Sequence, residues 1–380
     1  MIDVPASINW YLTKRCNLVC THCYNYESDE LPSVGRRELS REEALRVADG
    51  LVESGVFMVN LIGGEPLTVK WAVDLVRRLA QGGVKVAIAT NGVLLDEEKA
   101  RALIEAGAHR FQISLDGASA AVHDAVRGKG SFDKALRALR ILRDLGHSPQ
   151  VGFTVMKKNQ HELRDVIVLM KRERIRLLKL NAMIPAGRAE EDRAEMPDKV
   201  LFARQVEWLL GQERLARGQL VVDYPCFVGH VGEGAALAWK PERRAVHLSC
   251  GAGTTRAVIW EDGTVGACDF MRDDHVGDVR HERIEVIWTR GDEAIERWRR
   301  LDLVDDKCGS CGYQEKCGFG CRANAYFAGG DFYGWVPMCI SEPPKGIEHP
   351  WEALRETSQR ARPRQRRHLH VLKPARGLSA

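Results

Sequence analysis

Between Ser7 and about Ala186, short apolar runs alternate with longer segments in which apolar residues recur every three or four positions. Short runs suit buried strands and the longer period suits amphipathic helices, so the alternation predicts βα units on a parallel sheet. The expected strands are Ile8–Leu12, Met58–Ile62, Lys85–Ala89, Phe111–Leu115, Val151–Val155 and Leu177–Ala182. Ser40-Arg41-Glu42-Glu43 reads as a capping box ahead of Ala44, Leu45, Ala48, Leu51 and Val52 at helical spacing. Asp96 and Ser131 are expected to open two further helices, which Gly107 and Gly146 can close. Six such units suit an α/β fold, a partial (β/α)6 TIM-like barrel open on one side, whose functional groups gather at the carboxyl ends of the strands.

After Gly187 the pattern changes to an acidic stretch, Glu190 to Glu195, and then an amphipathic segment near Lys199 to Ala216. The expected organisation is a barrel over 1–195, a helical linker over 196–245, a cysteine-rich domain over 246–342 and a basic tail over 343–380. The 380 residues carry a net charge of +4, but residues 355–376 hold eight Lys or Arg against the single acid Glu356. The excess basicity therefore belongs to a tail, expected to be solvated and disordered, and not to a groove that would read nucleic acid. No apolar run approaches the ~18 residues of a membrane span, and Met1 to Asn9 lacks the layout of a secretory signal, so a cytoplasmic location is expected.

Ten of the eleven cysteines fall into tight groups and Cys226 stands apart. A chain of this length can build a large core, so metal ligation explains them better than a disulfide scaffold. Cys16, Cys20 and Cys23 stand as C-x-x-x-C-x-x-C. Three thiolates so placed can hold three irons of a 4Fe-4S cluster and leave the fourth without a protein ligand. A structural zinc site is the alternative, with His22 as a possible fourth donor. One βα unit later, Gly63-Gly64-Glu65-Pro66 follows the second strand; Thr90-Asn91-Gly92 ends the third and Ser114-Leu115-Asp116-Gly117 the fourth.

The cysteine loop and the GGEP tetrapeptide together resemble radical S-adenosylmethionine (SAM) enzymes. The resemblance implies that the methionine end of SAM chelates the open iron and that an electron from the cluster cleaves SAM to a 5'-deoxyadenosyl radical. It further implies that Gly63, Gly64 and Glu65 contact the SAM amino group and that Ser114 and Asp116 reach the ribose. Taken alone, Asn91 and Asp116 could as well shape turns or cap helices. His123-Asp124-x-x-Arg127-Gly128, also familiar from this family, is read as a surface loop outside the site.

In the second half, Cys250, Gly263, Cys268, Cys308-x2-Cys311-x5-Cys317-x3-Cys321 and Cys339 follow in an order that resembles the SPASM domain, which carries auxiliary 4Fe-4S clusters. Ile259 to Gly266 reads as a β-hairpin turning at Asp262-Gly263, which would bring Cys250 and Cys268 together. The family's pattern implies one auxiliary cluster on Cys250, Cys268 and Cys321 and another on Cys308, Cys311, Cys317 and Cys339. Cys226 is open to two readings, fourth ligand of the first cluster or buried free thiol, and that iron can also be open to substrate. Zinc ribbons are the competing account of these cysteines.

The resemblance implies hydrogen abstraction from a peptide or protein residue, giving a crosslink or an oxidised product, with tetrapyrrole decarboxylation or another small-molecule reaction as the alternative. A non-catalytic iron-sulfur carrier is the third reading, and it has no need of GGEP. A reductant such as flavodoxin or ferredoxin is implied. Peptide-modifying members often carry a recognition domain before the barrel. Only fifteen residues precede Cys16, so recognition is expected to fall to a separate protein, to the substrate itself or to the tail. Asp269 and Tyr24 are candidate acid-base groups that the sequence does not separate from structural ones.

Overall fold

The computed structural model describes residues 3–25, 37–223, 250–290, 293–300 and 319–339. Six strands form the parallel frame: β1 (Ser7–Tyr11), β2 (Met58–Ile62), β3 (Lys85–Thr90), β4 (Ala108–Ser114), β5 (Gln150–Val155) and β6 (Leu177–Ala182). They pair in sequence order, and helices α1 (Arg41–Glu53), α2 (Ala72–Gln81), α3 (Glu97–Glu105), α4 (Ala120–Arg127), α5 (Ser131–Asp144) and α6 (Leu163–Arg172) lie between them. The capping box is present, with Ser40 accepting from Glu43 N while the Glu43 carboxylate accepts from Ser40 N. Asp96 caps α3 through Lys99 N, but the N-cap of α5 is Gly130 and Ser131 is its first residue.

The sheet continues past both ends of this frame. After α7 (Lys199–Ala216), β7 (Val221–Asp223) adds in parallel to β6. On the other edge β8 (Arg256–Ile259) runs parallel to β1, followed by antiparallel β9 (Thr264–Gly266) and β10 (His275–Asp278), to make ten strands. The hairpin turns where expected, with Gly263 at φ +85°. Helices α8 (Ile284–Thr289), α9 (Glu293–Arg299) and α10 (Arg322–Gly329) complete the described elements.

Side chains alternate across a strand, and the two faces here differ in kind. Ile8, Trp10, Val59, Leu61, Val86, Ile88, Phe111, Ile113, Val151, Phe153, Leu178 and Leu180 are buried and face the helices. The opposite, inner face carries Asn9, Asn60, Gln112, Ser114, Thr154, Lys179 and Asn181, all half-buried. The register places Asn9 beside Asn60, Ser114 beside Gly152 and Lys179, and Thr154 beside Asn181. A polar inner wall costs little only where it meets solvent or a ligand.

Candidate functional site

The end of β1 and the end of β2 are zipped together by main-chain bonds. Leu12 N donates to Ile62 O, Gly64 N to Thr13 O at 2.7 Å and Glu65 N to Arg15 O at 2.8 Å. Gly64 is required by space, since a Cβ there would lie 2.2 Å from Arg15 O. Gly63 is required by conformation, at φ +142°. The GGEP turn therefore fixes the backbone that leads directly into Cys16.

Glu65 is buried and accepts from Leu67 N at 3.0 Å, Thr90 Oγ1 at 2.7 Å and Asn91 N at 2.8 Å. Burial pushes its pKa up against these donors. Asn91 in turn donates to Asn17 Oδ1 at 2.8 Å and lies 3.9 Å from Cys16 Sγ. The third-strand motif thus ties the Glu65 carboxylate to the cysteine loop.

Asp116 is wholly buried, with Oδ1 accepting from Thr154 N at 2.8 Å and Oδ2 from Arg127 Nε at 2.5 Å. A ribose hydroxyl would have to displace one of these partners, whereas Ser114 is half-buried on the inner face. His22 Nε2 lies 3.4 Å from Asp116 Oδ2, and burial lowers the His22 pKa to about 4, so the ring is neutral at pH 7. The segment read as a surface loop is a correction: His123, Asp124 and Arg127 sit on α4. His123 Nδ1 accepts from Asp116 N, and Asp124 accepts from Gly130 N and Phe132 N at the start of α5. The helix is eight residues long and its exposed positions, Ala120, Ala121 and Ala125, are small, so it is too short for periodicity to announce it.

Cys16, Cys20 and Cys23 are free thiols, exposed, buried and half-buried in turn. Burial pushes all three pKa values up, and each thiol feels another of the three as a further raising charge. Thr21 Oγ1, His22 Nδ1 and Asn25 Nδ2 are buried around them without a hydrogen-bond partner. Among the described residues, no three His, Cys, Asp or Glu side chains converge as they would on a single metal ion. Three thiols on one short loop supply the donors that three corners of a 4Fe-4S cluster would take.

Cys250, Cys268 and Cys321 form a second group of free thiols. Burial raises Cys268 first, and Cys250, Asp269 and Cys321 add to it. Cys321 caps α10, its sulfur accepting from Asn324 N at 3.4 Å. Cys339 is buried as well. Cys226, Cys308, Cys311 and Cys317 lie outside the described residues, as does the basic tail.

A polar bridge joins the two cysteine groups, and sequence reading missed most of it. Asp269, next to Cys268, accepts from Asn9 Nδ2 at 2.9 and 2.8 Å, and Asn60 Nδ2 donates to Asn9 Oδ1 at 2.9 Å. The Tyr11 hydroxyl lies 3.2 Å from Asp269 Oδ1 and 2.9 Å from the Tyr24 hydroxyl, while the Tyr24 ring packs on Phe270. The available signal was the two asparagines at inward positions of otherwise apolar strands. When bound here, a 4Fe-4S cluster would be held by Cys16, Cys20 and Cys23, and it supplies the electron for reductive cleavage of SAM.

Comparison with known proteins agrees with this geometry. Residues 10–170 match the radical SAM superfamily and residues 250–313 match the SPASM iron-sulfur cluster-binding domain. The chain is 30% identical to the AdoMet-dependent heme synthase of Methanosarcina barkeri, over 91% of this chain and 99% of that protein. It is 33% identical to the mycofactocin maturase MftC of Mycobacterium tuberculosis, over 90% of this chain and 85% of that one. The crystal structure of Streptococcus suis SuiB bound to its precursor peptide SuiA superimposes with a TM-score of 0.73 at 15% identity, covering 90% of this chain and 77% of SuiB. With its three-thiol loop, its GGEP turn and a second cysteine group joined to the same sheet, the chain belongs to the radical SAM superfamily and is a SPASM-type enzyme that uses SAM and 4Fe-4S clusters.

Proposed function

We propose that this enzyme is a maturase that abstracts hydrogen from a residue of a peptide or protein and leaves a crosslink or an oxidised side chain. The observation that carries the reading is the inner wall. Gln112 and Asn181 carry amides, and Ser114 and Thr154 hydroxyls, on this half-buried face, beside the Asn9 and Asn60 amides that are already tied to Asp269. Amides and hydroxyls pair with a peptide main chain, whereas a tetrapyrrole offers a broad apolar face that aromatic and aliphatic walls would cover. The 33% identity to a mycofactocin maturase supports the same reading.

In this account Gly63, Gly64 and Glu65 shape the turn that takes the methionine end of SAM, and Ser114 reaches the ribose. Asp116 acts from below, through Arg127. Cys250, Cys268 and Cys321 hold one auxiliary cluster, and Cys308, Cys311, Cys317 and Cys339 hold the other. The barrel occupies 1–195 and the SPASM domain 246–342. A flavodoxin- or ferredoxin-type protein supplies electrons. No helix among the described residues is long and apolar enough to cross a membrane, in keeping with a cytoplasmic site of action.

The second reading, a haem-pathway reaction on a tetrapyrrole, is favoured by the near full-length match to a heme synthase. One assay separates them. The reconstituted enzyme receives SAM and dithionite with either a library of short peptides or iron coproporphyrin. Peptide-dependent 5'-deoxyadenosine together with a changed peptide mass supports the maturase. The same response to the porphyrin alone overturns it.

A further inference from the structure

The His123-Asp124-x-x-Arg127-Gly128 motif does more than build α4. The last turn of that helix lies against the middle of the cysteine loop. Thr21 N donates to Val126 O at 2.9 Å, and Cys20 Sγ sits 4.0 Å from Arg127 O. The Arg127 side chain, 12% exposed, turns inward to Asp116, and its Nη2 lies 3.5 Å from His22 Nε2. Asp116 is itself pinned, by Thr154 N on its carboxylate, His123 Nδ1 on its amide and Asn159 Nδ2 on its carbonyl. From the far side, Arg188 Nη1 donates to Cys20 O at 2.8 Å and Arg188 N to Cys23 O at 3.0 Å. Residues from two separate βα connections therefore grip the same four-residue stretch, and one of them brings a buried cation whose counter-charge is fixed.

We propose that the Val126 and Arg127 carbonyls seat the Cys20 to Cys23 segment and that the Arg127 side chain is a positioning residue for the SAM-site cluster, holding a buried positive charge that favours the cluster's reduced form. Net charge, hydrogen bonding and solvent exposure are the levers that set iron-sulfur potentials. A charge shielded from water acts through a lower effective dielectric than a surface one. Asp116 opposes the cation, so the two charges must act in opposite senses. The device serves the step common to the whole family and does not depend on which substrate the barrel takes.

The test is a redox titration of the reconstituted full-length enzyme followed by electron paramagnetic resonance. The signal used is the one missing from a variant with Cys16, Cys20 and Cys23 all changed to Ala. Arg127→Met should lower the reduced-to-oxidised ratio at the wild-type midpoint by about threefold or more, ~28 mV at 59 mV per tenfold for one electron. Arg127→Lys should recover most of that loss. Asp116→Asn, close in shape and retaining Arg127, should move the midpoint the other way, and Arg127→Met with Asp116→Asn should return near wild type. If Arg127→Met fails to hold the cluster's iron, the Asp116→Asn arm decides the matter. Unchanged midpoints in Arg127→Met at full iron content, or in Asp116→Asn, overturn the proposal.

Discussion

Replacing Gly64 with Ala is a sharp perturbation of the SAM turn, because the defect is purely one of space. The added Cβ would stand 2.2 Å from Arg15 O and 2.6 Å from Lys14 O. Ordinary carbon-to-oxygen contacts begin near ~3.3 Å, so the turn and the approach to Cys16 must part by roughly 1 Å. Such a shift stretches the 2.7 Å Gly64 N to Thr13 O bond and the 2.8 Å Glu65 N to Arg15 O bond beyond useful range. Two lost hydrogen bonds at about 0.5–1.5 kcal/mol each, with overpacking of about 1–3 kcal/mol, give about 2–6 kcal/mol. The chain can absorb this as lost stability or, by displacing the turn, as lost SAM affinity. The assay is therefore double: urea midpoint and SAM dissociation constant on the same reconstituted protein. Either SAM binding weakens at least about tenfold, equivalent to ~1.4 kcal/mol, or the urea midpoint falls visibly. Gly50→Ala is the control, since nothing lies within 4 Å of its Cβ and helix α1 should gain up to about 1 kcal/mol. Gly64→Ala matching wild type in both readouts would refute the packing argument.

Three other perturbations probe the neighbouring links. Glu65→Ala leaves the donors on Leu67, Thr90 and Asn91 unpaired, and should weaken SAM binding with bound iron unchanged; unaltered SAM affinity by calorimetry would remove Glu65 from the site. Asp269→Ala strips Asn9 of its acceptor and should cost about 1–3 kcal/mol in urea unfolding, so a stability equal to wild type would mean that the bridge between the cysteine groups holds nothing. Glu43, bonded to Arg37 and to Ser40 N, has its pKa depressed to about 2. A depressed carboxylate stabilises the fold above its unfolded value near ~4.3 and loses that contribution as pH falls toward 2. Glu43→Gln should therefore flatten the stability profile between those limits, and an identical acid limb would contradict it.

The parallel frame was legible because its strands are buried on the helix face by Val, Ile, Leu and Phe, and because Ser40, Asp96 and Gly263 signal their own turns. The edges of the sheet were not. Val221-Val222-Asp223 is too short to show a period, and β8 joins β1 across more than two hundred residues. At the site, the cysteine spacing and GGEP carried the chemistry. The role of Asp116 did not follow from its position, since an aspartate ending a strand reads alike whether it meets a ligand or a buried arginine. Arg127 was hidden for the same reason: only its burial and its partner distinguish it from a surface helix charge. The amide-lined inner wall needed the register of six strands before its members could be seen as one surface.

The central claim is tested most directly by anaerobic reconstitution with iron and sulfide, followed by iron counting and an assay for 5'-deoxyadenosine after SAM and dithionite are added. Three cubanes predict about twelve irons and clear SAM cleavage in the wild type. The variant with Cys16, Cys20 and Cys23 changed to Ala should keep about eight irons and cleave no SAM. Bound zinc with no 5'-deoxyadenosine, or a triple variant that loses all its iron, would contradict the account.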